Sequence, residues 1–447
     1  MEEGLFEKYK LEKETWTYKG FHGLLHTFFP VGEQPLRFFR KNYGDSFHIT
    51  IFFVENDYVH WFWNEADMER LRVGLVNRVN RDPAFLSRLL KQWHIKLKLF
   101  RTVFKAITTA RLAELNDRAF LALYKKFNMA YMDEYSIAVG LQDSFSMHSD
   151  RFLEPALKQV IHDHFNDTFV LLMSPTKDSF INQEMLGRYA ILIQIQKNAS
   201  LARLIKAQGA RALPAIRQSH KKLYAQLRKH ILNFHWVQNN YAKVVYLDAV
   251  YFLEALHDML EKGVNPRVEI KRIEDAIARV KHEKLLLIKK LNLNKELRNL
   301  ITIAEVFAYM QDERKKYVLI ANYYQKLFKD EAGKRLELGV AEMNYTIYPE
   351  LYDMLLKRGV SSEELHKRKD FCVCIQTLKG YEVVSGKRAR ELFVRMSGAR
   401  DKETRILRGQ TASVGCVRGI VKIIRTTHDL VNVATRLKLM RTRGKCV

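Results

Sequence analysis

The sequence has few of the residues that break a chain: 8 prolines and 20 glycines in 447 residues. That scarcity argues against a many-stranded fold with frequent turns and favours long helices. No run of about 18 apolar residues occurs, so no membrane-spanning segment and no membrane partner are expected. The opening Met1-Glu2-Glu3-Gly4 has no basic stretch followed by an apolar one, so no secretory leader is expected and the reading is cytoplasmic. Cysteine is scarce as well: Cys372, Cys374, Cys416 and Cys446 read as plain thiols of a reducing compartment. Cys372 and Cys374, two apart, share one face of a strand, but no second pair or histidine stands at zinc-ligand spacing. A glycine-rich phosphate loop is missing, and Ser146, Ser174 and Ser200 lack a Gly-x-Ser-x-Gly setting. No paired carboxylates stand out. Catalytic residues: none expected; metal ligands: none expected.

What is present belongs to a globular protein. Apolar residues make up 47% and charged residues 28%, enough to bury a core, and the length suggests about three domains. The balance of 75 Lys and Arg against 50 Asp and Glu gives +25, which attracts polyanions. The charge is dispersed, however. Lys125-Lys126, Lys221-Lys222, Lys289-Lys290 and Lys315-Lys316 sit beside apolar residues on helical stretches and read as solvated faces.

Along the chain, the first forty residues are aromatic and basic without a clear period. Residues 47–54 and 58–63 are β-branched and aromatic around Glu55-Asn56-Asp57, which predicts a hairpin. Asn64 is placed to cap the next helix, and Asp82-Pro83 to end it and start another. From about 84 to 360 helical spacing dominates, including Leu112, Leu115, Ala119 and Leu123. Two long helices, 271–291 with Lys284 interrupting its apolar seam and 297–328, are expected to pack antiparallel on each other. His162-Asp163-His164 is expected on an exposed helix, where neighbours two apart diverge. Near residue 370 the pattern turns to strand: Phe371–Ile375, a Lys379-Gly380 turn, Tyr381–Val384, then a short helix capped by Ser385. The expected division is 1–80, an aromatic and basic region with a hairpin; 81–365, a helical domain with long antiparallel helices; and 366–447, a β-rich segment. The fold class is mainly α.

From Leu407 the chain reads as a β segment in which glycines fall where the backbone must turn or come close. Gly409, Ala412, Ser413, Gly415, Gly419 and Val421 stand in the register Gly-x-x-Ala-Ser-x-Gly-x-x-x-Gly-x-Val. This segment resembles the opening of the mobile domain of phosphoenolpyruvate-utilising enzymes, the family of phosphoenolpyruvate synthase and pyruvate phosphate dikinase. Val414 stands where that family often has proline. More loosely, His235-Trp236, Asp248, Tyr251, Phe252 and Asp312-Glu313-Arg314 resemble the helical region that precedes this domain. The resemblance implies a C-terminal α/β segment that begins a swivelling domain at about 405. It also implies a relay in which a histidine takes a phosphoryl group from ATP and delivers it to pyruvate or a related acceptor. ATP and Mg are implied only for a complete family member; no cofactor is expected in this chain.

The sequence departs from that pattern. No Gly-Gly-x-x-x-His segment occurs, and 39 residues run from Gly409 to Val447, short of the roughly 50 of a small domain. His428, in Thr426-Thr427-His428-Asp429, lacks the glycines and reads as a surface histidine. The basic end, Arg436 to Val447, stands where an apolar strand is expected, as a shifted reading frame would produce. The expectation is an incomplete phosphotransferase component, inactive alone, with a partner chain as one source of the ATP-binding domain and phosphohistidine. The alternative is a basic helical protein that binds nucleic acid non-specifically or serves as a scaffold.

Overall fold

A computed structural model of the chain describes residues 4–147, 152–356 and 359–398. The structure is mainly helical with one small antiparallel sheet. The chain opens with α1 (Leu5–Lys8), β1 (Trp16–His22), α2 (Leu25–Arg37), α3 (Phe39–Tyr43), β2 (Ile49–Glu55), β3 (Tyr58–Asn64) and α4 (Glu65–Arg81). Two long helices follow, α5 (Phe85–Thr109) and α6 (Asp117–Met147). Then come α7 (Leu153–Lys158), α8 (Phe165–Met173), α9 (Phe180–Gln196), α10 (Ala199–Gln208), α11 (Leu213–Ser219), α12 (Lys221–Phe234) and α13 (Ala249–Glu261). After α14 (Pro266–Lys290) and the 42-residue α15 (Lys295–Leu336), the chain returns through α16 (Val340–Met343), α17 (Glu350–Leu355) and α18 (Ser362–Asp370). It ends in β4 (Cys372–Thr377), β5 (Gly380–Ser385) and α19 (Lys387–Gly398).

The expected hairpins both form. Asn56 takes the left-handed conformation (φ 52°) that asparagine tolerates, closing β2 on β3. The Asn64 side chain accepts the backbone N–H of Asp67 at 2.9 Å and caps α4. Sequence spacing does not show that the two hairpins are one sheet, in the order β1-β3-β2-β4-β5. β2 pairs with β4, Phe52 opposite Cys374, so segments more than 300 residues apart form its centre. Phe52, Val54, Trp61, Trp63, Cys372 and Cys374 line the face toward the helical body. Ile51, Phe53, Phe62, Val373 and Ile375 line the other, covered by Leu5 and Leu11 and by Leu392 and Met396 of α19. With both faces buried, the central strands read as unbroken apolar runs. Cys372 and Cys374 do share a face.

α2 lies against the sheet. Every residue from Leu25 to Leu36 is buried, including Pro30 and Pro35. Its polar residues His26, Thr27, Glu33 and Gln34 are buried together with its apolar ones. A Cβ on Gly32 would meet the Gln376 amide oxygen and come within 2.9 Å of the Phe52 ring. Thr50 Oγ1 donates to Gly32 O (2.8 Å) and Gln376 Nε2 to Phe29 O (3.0 Å), fastening helix to sheet.

α15 runs through the helical body. It packs on α6, α5 and α4 and also on α7, α8 and α9. The two long helices do not pack along each other as expected. α14 lies on α9 and α8, while α15 lies chiefly on α6. Lys284 joins the two at one point. It is the buried residue of its stripe, with Nζ 3.5 Å from Glu305 of α15 and donating to Ser174 O at 3.3 Å. The apolar stripe of α14 is only half-buried around it.

Three local expectations change. Leu112 to Leu123 is not one helix: Arg111 has φ 42°, a 3-10 turn follows, and α6 begins at Asp117. His162 and Asp163 lie in the loop between α7 and α8, and His164 (φ 50°) precedes α8, so no helix carries the three. Ser385 ends β5, and its hydroxyl donates to Glu364 instead of capping α19.

Candidate functional site

Gly409, Ala412, Ser413, Gly415, Gly419 and Val421 lie outside the described residues, as do His428 and the basic end. Asp248 caps α13 by accepting the N–H of Tyr251 at 3.0 Å, and Phe252 is core of a smaller helical cluster. These two roles are structural. Of the others, the Tyr251 hydroxyl accepts from Gln238 Nε2 at 2.6 Å, while Trp236 and Asp312 come together near the middle of α15.

Asp312, Glu313, Arg314 and Tyr317 form a charge-rich stretch that would be surface on an isolated helix. Here other helices pack on several sides of α15, so the stretch becomes a buried polar seam. Asp312 reaches the start of α9 and accepts the N–H of Phe180 at 2.9 Å, where the helix end favours negative charge. The Phe180 ring packs on Trp236 with centroids 5.6 Å apart. Thus Trp236 and Asp312 meet through one residue. His235 lies beside Tyr246 and Tyr323, 4.7 and 4.6 Å between centroids, and burial lowers its pKa to about 4. Burial raises the Asp312 carboxyl to about 6, against the Phe180 hydrogen bond.

On the side facing α5 and α6, Arg314 donates to Tyr135 Oη at 2.8 Å, and Tyr135 Oη lies 3.2 Å from Tyr241 Oη. Arg101 of α5 donates to the Tyr317 hydroxyl. Between them Glu134, with no exposed surface, accepts the Trp93 indole N–H at 2.6 Å. Burial pushes its carboxyl up to about 8; Glu313 adds to this, while the Trp93 bond, Arg101 and Arg314 oppose it. A carboxyl with that value is mostly neutral at pH 7. Glu134 Oε2 and the Tyr131 hydroxyl are buried with no hydrogen-bond partner among the described residues.

Sequence spacing did not single out Glu134. It follows Phe127 and Tyr131 at steps of four and three, on the stripe that becomes core. An acid on such a stripe is the signal that was there to read. The same holds for Glu184 of α9, buried with His230 Nε2 at 3.0 Å and Arg188 Nε at 2.6 Å.

Chemically, the seam can hold protons on buried acids and lock three helices in one register. It does not fit a magnesium nucleotide. Each of its carboxyls has one oxygen engaged, by Trp93, Phe180 or Lys316, and among the described residues no group of three or more His, Cys, Asp or Glu is placed to hold a metal ion. A groove of about 990 Å³ lies elsewhere, between α1 and α19, beside Glu7, Arg390 and Arg395. Comparison with protein-family models, with curated proteins and with solved structures finds no match for this chain.

Proposed function

We propose that this chain is part of a phosphoryl-relay protein of the phosphoenolpyruvate-utilising type, its helical body supporting the opening of a mobile phosphohistidine domain. The observation that carries this reading is the register of Gly409, Ala412, Ser413, Gly415, Gly419 and Val421. Two features favour it. The region before the motif is mainly helical, as the resemblance implies. α19, which ends eleven residues before Gly409, is seated on a sheet buried on both faces, a firm base for a moving unit.

A relay histidine must be neutral to attack phosphorus, and the product needs cations and amide N–H groups around it. The Gly-Gly-x-x-x-His segment that would provide the nucleophile is not among the 447 residues. By itself, then, the chain transfers no phosphoryl group in this reading.

The test is to sequence the gene past the codon for Val447, express the chain alone and extended through any Gly-Gly-x-x-x-His segment and following coding sequence found there, and offer each phosphoenolpyruvate labelled on phosphorus. The expected result is acid-labile, base-stable label on the extended chain only. A downstream region without that segment in any frame, or an extended chain that takes no label, overturns the proposal.

A further inference from the structure

α5 has six Lys and Arg and no Asp or Glu in 25 residues. Its core face is Leu86, Leu89, Trp93, Leu97, Phe100, Phe104 and Ile107. Opposite lie Lys91, Lys98 and Lys105, all exposed, seven residues and about 10.5 Å apart along the axis. The other cations of the helix are engaged: Arg88 with Asp82, Lys96 with Asp133 at 2.7 Å and Arg101 with Tyr317. Among the described residues, no carboxylate pairs with Lys91, Lys98 or Lys105.

Between these lysines the helix exposes aliphatic carbon. Ile95 is 63% and Leu99 60% exposed. The Lys96–Asp133 pair joins α5 to α6, and Asp133, Met129 and Lys126 follow one another on a single stripe of α6. Met129 (44% exposed) and Lys126 therefore extend the same face. The Phe and Trp rings of α5 all point inward or are half-buried.

The geometry points to this face of α5 and α6 as a docking surface for an anionic lipid bilayer. The lysines supply attraction to acidic headgroups, and Ile95, Leu99 and Met129 supply carbon that enters the headgroup boundary. Lysines serve phosphates as well, but a nucleic-acid surface adds exposed rings for bases instead of exposed aliphatic carbon. Here the free cations of α5 are lysines and the exposed carbon is aliphatic. The surface lies on the bilayer; no helix among the described residues is long and apolar enough to cross one.

The test uses the full chain and sedimentation with vesicles of phosphatidylcholine alone or with 30% phosphatidylserine, the composition being a choice of about physiological charge. The wild type should bind only the anionic vesicles, and less as salt rises. A lysine near such a surface contributes about five-fold, so K91E/K98E/K105E should weaken binding about 100-fold or more. Residues 399–447 are also basic, and binding through them would leave that variant equal to wild type and overturn the proposal. I95S/L99S should release the protein at high salt while far-UV circular dichroism stays unchanged. Unchanged vesicle binding by I95S/L99S, or K91E/K98E/K105E losing duplex nucleic acid but not vesicles, also overturns it.

Discussion

Replacing Glu134 by glutamine should stabilise the protein at alkaline pH and change it little in acid. Glu134 is fully buried, and burial pushes its carboxyl up to about 8 against an ordinary value of 4.5. Because the folded value is the higher one, the stability it contributes is complete below pH 4.5 and is lost as pH rises through 8. Within that window each pH unit costs about 1.4 kcal/mol. The loss is on the order of 3 kcal/mol at pH 7 and on the order of 4 kcal/mol at pH 8. Glutamine keeps the shape and an oxygen for the Trp93 indole, 2.6 Å away, but has no proton to lose. Urea unfolding of wild type and E134Q, followed by far-UV circular dichroism at pH 5, 7 and 8.5, measures the difference. Wild type should fall steeply over this range, and the variant should fall less. A variant whose stability tracks wild type at all three pH values, or drops below it at pH 8.5, would refute a neutral buried Glu134.

Arg368 is buried and donates to both oxygens of Glu350 at 2.8 Å and to Glu364 at 3.2 Å, so Arg368→Ala should cost about 3–5 kcal/mol in urea unfolding. Arg368→Lys should restore only part, because one ammonium does not replace a two-pronged donor. Gly32→Ala forces a methyl against Phe52 and Gln376 and should cost about 1–3 kcal/mol by the same measurement; a neutral result would mean that α2 does not lie flat on the sheet. Burial raises the thiol pKa of Cys372 to about 12 and that of Cys374 well above its ordinary value. Peptide mapping after treatment with a thiol reagent should therefore find both unmodified until the protein is denatured, and rapid labelling of either in the native protein would contradict the two-faced burial of β4.

The helical majority, both hairpins, the Asn64 cap and the shared face of Cys372 and Cys374 were legible in the sequence. Each depends on neighbours within a few residues, where spacing and side-chain type act directly. Tertiary structure alone decided the rest. Pairing of β2 with β4 joins segments that no local period connects, so the two ends of the described chain became one sheet. α2 has polar residues on one side, His26, Thr27, Glu33 and Gln34, and only its packing between sheet and helices buries them along with the apolar side. Lys284 read as a flaw in an apolar seam; its partners Glu305 and Ser174 lie on other elements, and with them it is a buried lysine held by an ion pair and a hydrogen bond. By sequence Glu134 is an acid on an apolar stripe, with nothing local to set its charge. It becomes a neutral buried one only because α5, α6 and α15 exclude water around it, and solvent exclusion is a property of the packed chain rather than of any segment of it.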